Sequence, residues 1–245
     1  MATAAVSQTK HPERAGQRDR RFFSGIALLV LIAVLVGFAR TYFLAGMFWA
    51  NLANAMVHVH GALFTLWIAL LLAQVALVAS HRTRWHMRLG IAGMFLAPLM
   101  VITGFATLIG SIRRGFVPPP VLRIITAQDI LILCLFGFLI SWAFLARRDA
   151  PTHKRLVLCA TFLIIIPAVA RWPIVGNIAQ NPMPFYLCVN SFPALLVVYD
   201  LWTRRSLHRA TICGVALMII LQLAVLPLAR TALIGHTITY VGGKP

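Results

Sequence analysis

Long apolar runs, each closed by a short polar and basic cluster, dominate the chain. Seven occur: Phe22 to about Leu44, Ala53 to Ser80, Leu89 to Gly110, about Ile124 to Ala146, Leu156 to Val175, Met183 to Trp202, and Ala210 to about Leu233. About 20 apolar residues in a helix cover roughly 30 Å, the hydrocarbon thickness of a bilayer. The pattern predicts an all-α, polytopic membrane helix bundle with seven transmembrane helices. It divides the chain into a basic cytoplasmic N-terminal segment (1–21), a membrane domain (22–233) and a short outer tail (234–245), with no stretch left for a separate soluble domain.

Composition agrees with the pattern. The 245 residues are 60% hydrophobic and 11% charged, and the mean hydropathy is +0.87. Soluble domains carry about 45–50% apolar and about 25% charged residues. An ordinary soluble enzyme, a disordered chain and a disulfide scaffold are therefore excluded. The net charge of +17, from 22 Lys and Arg against 5 Asp and Glu, would point to nucleic acid in a soluble domain. Here the basic residues sit between apolar runs, so the partners expected are a lipid bilayer and anionic lipid head groups, not nucleic acid.

Charge placement also gives an orientation. Lys10, Arg14, Arg18, Arg20 and Arg21 precede the first span. Arg82, Arg84 and Arg88 follow the second, Arg147, Arg148, Lys154 and Arg155 the fourth, and Arg204, Arg205 and Arg209 the sixth. These are 15 of the 22 basic residues. The positive-inside rule then places the N-terminus in the cytoplasm and the C-terminus outside, which requires an odd number of spans. Arg20-Arg21-Phe22-Phe23 loosely resembles a twin-arginine signal. The apolar run after it is long and no small-residue cleavage site stands out, so an uncleaved first helix is expected.

The three cytoplasmic turns look alike. Each reads Arg, a short gap, His, then Arg: Arg82 to Arg88 around His86, Arg147 to Arg155 around His153, and Arg204 to Arg209 around His208. This predicts one leading helix followed by three related helical hairpins. The residues His86, Arg88, His153, Arg155, His208 and Arg209 lie near helix N-termini, where anions are favoured. They are candidates for an interfacial anion or lipid head group, although topogenic charge with interfacial anchoring already accounts for them and is the favoured reading. A three-His metal site is not expected, because the arginines disfavour a dication. Cys134, Cys159, Cys188 and Cys213 fall one in each of the last four spans with no C-x-x-C, which points to packing residues.

Polar groups inside spans are costly and mark functional candidates. The outer half holds Arg40, His58, His60, Gln128, Asp129, Arg171, Asn177, Asn190 and Arg230. An outward-facing pocket would need such groups, and His60, Trp67, Asp129, Arg171, Asn190 and Arg230 are the candidate ligand-binding set. His60, Trp67 and Gln74 recur at seven-residue spacing, with Phe64 and Leu71 beside them, so this stripe is expected to face the bundle. His58 points about 200° away from His60, onto a face with Gly61, Ala62 and Thr65, where a close helix contact is expected. Asp129 is the one carboxylate in the outer half; Arg171, Arg230 or His60 could partner it. Asp200 is expected to form an interfacial pair with Arg204 or Arg205. Pro98, Pro167, Pro193 and Pro227 fall inside spans, as kinks or as sources of free carbonyls.

The stretch His60-Gly61-Ala62-Leu63-Phe64-Thr65-Leu66-Trp67, then Gln74, then His86-Met87-Arg88-Leu89-Gly90, resembles uncharacterised bacterial seven-helix membrane proteins with an H-G-x-L-F-T-x-W helix and an H-x-R-L-G turn. His153-Lys154-Arg155-Leu156, Ala170-Arg171-Trp172-Pro173, and Tyr199-Asp200-Leu201 followed by His208 look alike too. The resemblance implies a seven-helix bundle with a shared site and brings no activity with it. A weaker likeness links the chain to b-type cytochromes and haem-oxidase assembly factors.

Four functions stay open. One is binding of a small apolar or quinone-like ligand or cofactor in the outer pocket. A haem-binding redox or oxidase-assembly protein is a second. Low-spin haem needs two axial ligands at similar depth, whereas His60 and His86 differ by about 25–35 Å at the rise of a helix. A small-molecule transporter and a membrane enzyme using His60 and Asp129 are the others, and no motif fixes a reaction.

Overall fold

In the computed structural model the apolar runs are helices. It describes residues 10–48, 54–115, 117–178 and 180–243, with side chains from residue 16 onward apart from residue 48. The side chains of Lys10 and Arg14, and the residues Ala53 and Lys244, lie outside this description. The elements are α1 (Lys10–Phe38), which continues into a π-helical turn (Ala39–Phe43), then α2 (Ala55–Ala79), α3 (Thr83–Arg114), α4 (Pro119–Leu145), α5 (Ala150–Ile164), α6 (Ile166–Val169), α7 (Met183–Arg204), α8 (Arg209–Arg230) and α9 (Ala232–Gly242). No strand occurs among the described residues.

Local chemistry sets the boundaries. Asn54, Asp149 and Thr231 accept hydrogen bonds from the first-turn N–H groups of α2, α5 and α9, donors that otherwise have no intrahelical partner. Gly115 ends α3 in the left-handed conformation at φ 57°, which costs glycine little. Pro119 then opens α4, a first-turn position where its missing N–H matters least. His86 and His153 lie within the first turns of α3 and α5, not in loops.

Among the described residues six helices are long and apolar enough to cross a membrane: Gly16–Phe43, α2, α3, α4, α7 and α8. Their outer faces carry large bare apolar side chains, such as Phe95 and Ile102 on α3 and Leu223 on α8. Apolar surface on that scale needs cover, and a bilayer supplies it. These features describe a multi-pass helical membrane bundle.

The fifth apolar run differs. It is broken into α5, α6 and a short 3-10 turn (Pro173–Val175), and from Leu156 to Ala170 no residue is exposed. Leu156, Leu158, Cys159, Ala160, Thr161, Phe162, Leu163, Ile164, Ile166, Ala168 and Val169 are all buried. A segment apolar all round belongs in a core, and α5 is packed by α4, α7 and α8, while α6 is packed by α1 and α7. Small residues permit the close approach: at Gly37 of α1 an added Cβ would lie 2.2 Å from the Ala168 carbonyl oxygen, and at Gly214 of α8 2.4 Å from Cys159 Sγ.

Hairpin packing is unequal. α2 with α3, and α4 with α5, are the two most extensive helix pairs. α7 and α8 touch far less; α8 lies instead against α4 and α5. The expected outer tail begins as the helix α9, which packs on α3, α4 and α8.

Candidate functional site

In the outer half, His58 and His60 diverge as their spacing requires. His58 Nδ1 lies 3.4 Å from the Tyr42 hydroxyl, and the Tyr42 ring covers Gly61. His60 points to α3, with Nδ1 3.3 Å from Thr107 Oγ1 and its ring 4.1 Å from that of Phe64. Trp67, two turns along the same stripe, is buried. Its indole N–H donates to Thr161 Oγ1 at 3.2 Å, and its ring meets Phe136 edge-on at 5.3 Å. The stripe therefore faces the bundle, and Trp67 ties α2 to α4 and α5.

Asp129 on α4 is half-buried and sits in the field of Arg171, but no salt bridge within 4.0 Å joins them among the described residues. Arg171 donates to the Pro167 carbonyl at 2.5 Å and lies over the Phe38 ring at 4.9 Å. Asn190 and Gln222 exchange amide hydrogen bonds of 3.0 and 2.9 Å between α7 and α8. Arg230 is exposed at the end of α8. The six outer candidates thus fall into separate contacts: His60 on α3, Trp67 on α5, Asp129 facing Arg171, Asn190 on Gln222, and Arg230 alone at the surface.

The cytoplasmic turns, as the sequence orients them, hold a denser network. Arg155, expected at the interface, is buried and ion-paired with Asp200. This corrects two expectations: Asp200 pairs with neither Arg204 nor Arg205, and Arg155 is not free for a head group. Burial drives the change, since a buried charge needs a partner. Asp200 also accepts from Thr211 Oγ1 at 2.6 Å and His208 N at 3.1 Å.

Asp19 of α1 pairs with Lys154 and accepts from the Tyr199 hydroxyl. Phe22 stacks on Tyr199 at 3.8 Å. The first helix is thereby fastened to α5 and α7. Burial pulls the Lys154 ammonium below its ordinary range although Asp19 acts the other way. Asp149 is held below the usual carboxylate range by the Thr152 hydroxyl. Sequence reading missed Asp19, Tyr42, Thr107, Thr161, Tyr199 and Thr211 as partners. They are hydroxyls and one acid at intervals that carry no motif.

The remaining turn residues separate. The Arg88 guanidinium lies over the exposed Trp85 ring at 5.3 Å. Arg209 is exposed. His208 Nδ1 accepts from Ala210 N at 3.1 Å and caps α8. His86 and His153 come together, with ring centroids 6.4 Å apart. Among the described residues no group of three or more His, Cys, Asp and Glu side chains could hold a metal ion. Comparison with known proteins returned no match: no family model fits the chain, and no curated protein or solved structure is significantly similar to it.

Proposed function

We propose that this multi-pass membrane protein binds a small apolar or quinone-like ligand in its outer half, with His60, Asp129 and Arg171 meeting the ligand's polar end. The observation that supports this is a shared layer. Trp67 touches both Phe136 and Thr161, so these residues of α2, α4 and α5 lie at one depth. Seven residues toward the outer side stand His60 on α2 and Asp129 on α4, each on the same face of its helix and each about 10 Å further out. Arg171 closes the same end of the α5–α6 segment. Among the described residues no hydrogen bond joins His60 to Asp129, and in this reading the ligand's polar end takes the place of such a bond. Trp67 forms the floor. Asn190, engaged by Gln222, and Arg230, at the surface, play no part in this reading.

The same proposal takes seven crossings in a bacterial inner membrane, N-terminus in the cytoplasm, and membership of the seven-helix group that the motifs resemble. Arg88 and Arg209 remain free to meet anionic head groups. Native mass spectrometry of the detergent-purified protein tests the ligand. A co-purifying small molecule is expected in the wild type and is lost in His60→Ala, Asp129→Asn and Arg171→Ala. Retention of the same ligand by all three variants, or a wild type that carries none when extracted in its native lipid, overturns the reading.

A further inference from the structure

His86 and His153 stand in different turns of the sequence, yet the fold brings their imidazoles together, centroids 6.4 Å apart and planes at 90°. Each has one ring nitrogen without a hydrogen-bond partner among the described residues. His153 Nδ1 lies 2.8 Å from the Ala143 carbonyl oxygen, an acceptor that fixes the proton on Nδ1 and leaves the Nε2 lone pair free. Metal-bound histidines are held in this way, by donating their other ring N–H to a backbone carbonyl or carboxylate. His86 Nδ1 is buried and has no hydrogen-bond partner. The Oε1 of Gln74 is likewise buried and unpartnered. Gln74 is a close neighbour: its main-chain carbonyl faces the His86 ring, and its amide nitrogen lies against Gly90, one turn after His86.

Two buried, unpaired polar atoms beside an imidazole pair ask for a common occupant, since a buried polar group left unmet is destabilising. With metal–nitrogen bonds of about 2.0–2.1 Å, the centroids of two imidazoles on one metal lie roughly 5 Å apart in a tetrahedral site and roughly 6 Å apart when the two are opposed, and the spacing here matches the opposed arrangement. Two of the arginines that argue against a cation at these turns are engaged elsewhere. Arg155 is neutralised by Asp200, and Arg88 lies over Trp85. The third turn histidine, His208, is excluded because its Nδ1 caps α8.

We propose that His86 and His153 hold one metal centre between them, with the Gln74 amide oxygen beside it. Imidazole donors suit zinc, copper, nickel and iron, and two opposed imidazoles also match the axial ligands of a low-spin haem. The shared chemistry is a metal atom bound by two neutral imidazoles. The site lies at the opposite end of the bundle from His60 and Asp129, so it stands or falls separately from the outer-ligand reading.

The test uses the full chain, purified in detergent from cells supplied with haem precursor. One arm records the absorbance spectrum; a Soret band identifies haem iron. The other arm titrates the chelator-treated protein with Co2+ and follows visible d–d absorption, then displacement by Zn2+. One arm is expected to give one metal per chain. His86→Gln and His153→Gln should each weaken that binding by about tenfold or more, the scale that metal-site disruptions reach. His208→Gln and His60→Gln should not. Elution of the variants as monodisperse protein by size exclusion separates lost binding from lost fold. A folded wild type that binds neither haem nor Co2+, or metal retained by both monodisperse Gln variants, overturns the proposal.

Discussion

Arg155 and Asp200 form an ion pair with 2% and 0% of their side-chain surface exposed, inside a chain whose charges are otherwise almost all at its edges. Arg155 Nε donates to Asp200 Oδ1 at 3.1 Å, Nη2 donates to the same oxygen, and Nη1 donates to the Pro151 carbonyl at 2.9 Å. With Thr211 and His208 N also donating, the carboxylate is surrounded by donors from α5, α8 and the turn before α8. A buried pair is tolerated when hydrogen bonds satisfy it this fully, and removing one member leaves an uncompensated charge. Asp200→Ala should therefore destabilise the bundle by about 3–5 kcal/mol, read as a fall in unfolding temperature in detergent. The double variant Arg155→Met, Asp200→Leu should recover most of that loss. A single variant as stable as the wild type would show that the pair does not hold these helices.

Gly37 marks a close contact between α1 and α6. An added Cβ would lie 2.2 Å from the Ala168 oxygen and 2.7 and 2.8 Å from its carbonyl carbon and Cα. Those are backbone atoms, which cannot rotate away. Gly37→Ala should force α1 off α6 and cost about 1–3 kcal/mol, the usual range for overpacking. Gly25, in the same helix, has nothing within 4 Å of such a Cβ. Gly25→Ala should be neutral or stabilising by up to about 1 kcal/mol through helix propensity. Thermal unfolding of the two variants side by side checks the contrast, and equal effects would refute a specific contact at Gly37.

The helices and the bundle class were legible because about 20 apolar residues between charge clusters have few other stable solutions. The facing of the His60, Trp67 and Gln74 stripe was legible too, since seven residues nearly complete two helical turns. What periodicity does not carry is which helices become neighbours. The Asp200 partner comes from 45 residues upstream, and its neighbours Arg204 and Arg205 drew attention instead. His86 and His153 likewise read as separate turns until α3 and α5 brought them together. The fifth run looked like any other span by hydropathy; only its packing shows that it lies in the core and bends ahead of Pro167.

His208 gives the α7–α8 turn a pH dependence. Its Nδ1 accepts from Ala210 N, which only the neutral imidazole can do. Burial first, then the Arg155 and Arg204 guanidiniums, lower its pKa from the ordinary 6.5, while Asp200 and Asp149 act the other way. The unfolded chain then binds the proton more readily, so the cap's contribution is full above 6.5 and is lost as the pH falls below it through the depressed folded value. Amide exchange at Ala210 to Ile212, corrected for intrinsic rate, should quicken between about pH 8 and 5. His208→Asn keeps a capping oxygen without a titrating group and should flatten that dependence. A wild-type profile with no pH dependence would sink the assignment.

The number of crossings turns on the α5–α6 segment. The turns before α5 and before α8 lie together, since Arg155 binds Asp200 and Asp149 lies in the field of His208. α4 and α7 therefore both end on this side, and the chain between them must return to the far side before α7 begins. Residues 150–169 in helix span about 30 Å, enough to do so. From Leu156 onward the segment is enclosed by protein, so its hydropathy alone is a poor guide to its path. Reporter fusions after Asp149 and after Ser206 should fall on the cytoplasmic side, and fusions after Ile178 and Gly243 on the other. A cytoplasmic reporter after Ile178 would make the segment re-entrant, leave six crossings, and bring both ends of the chain to the same side.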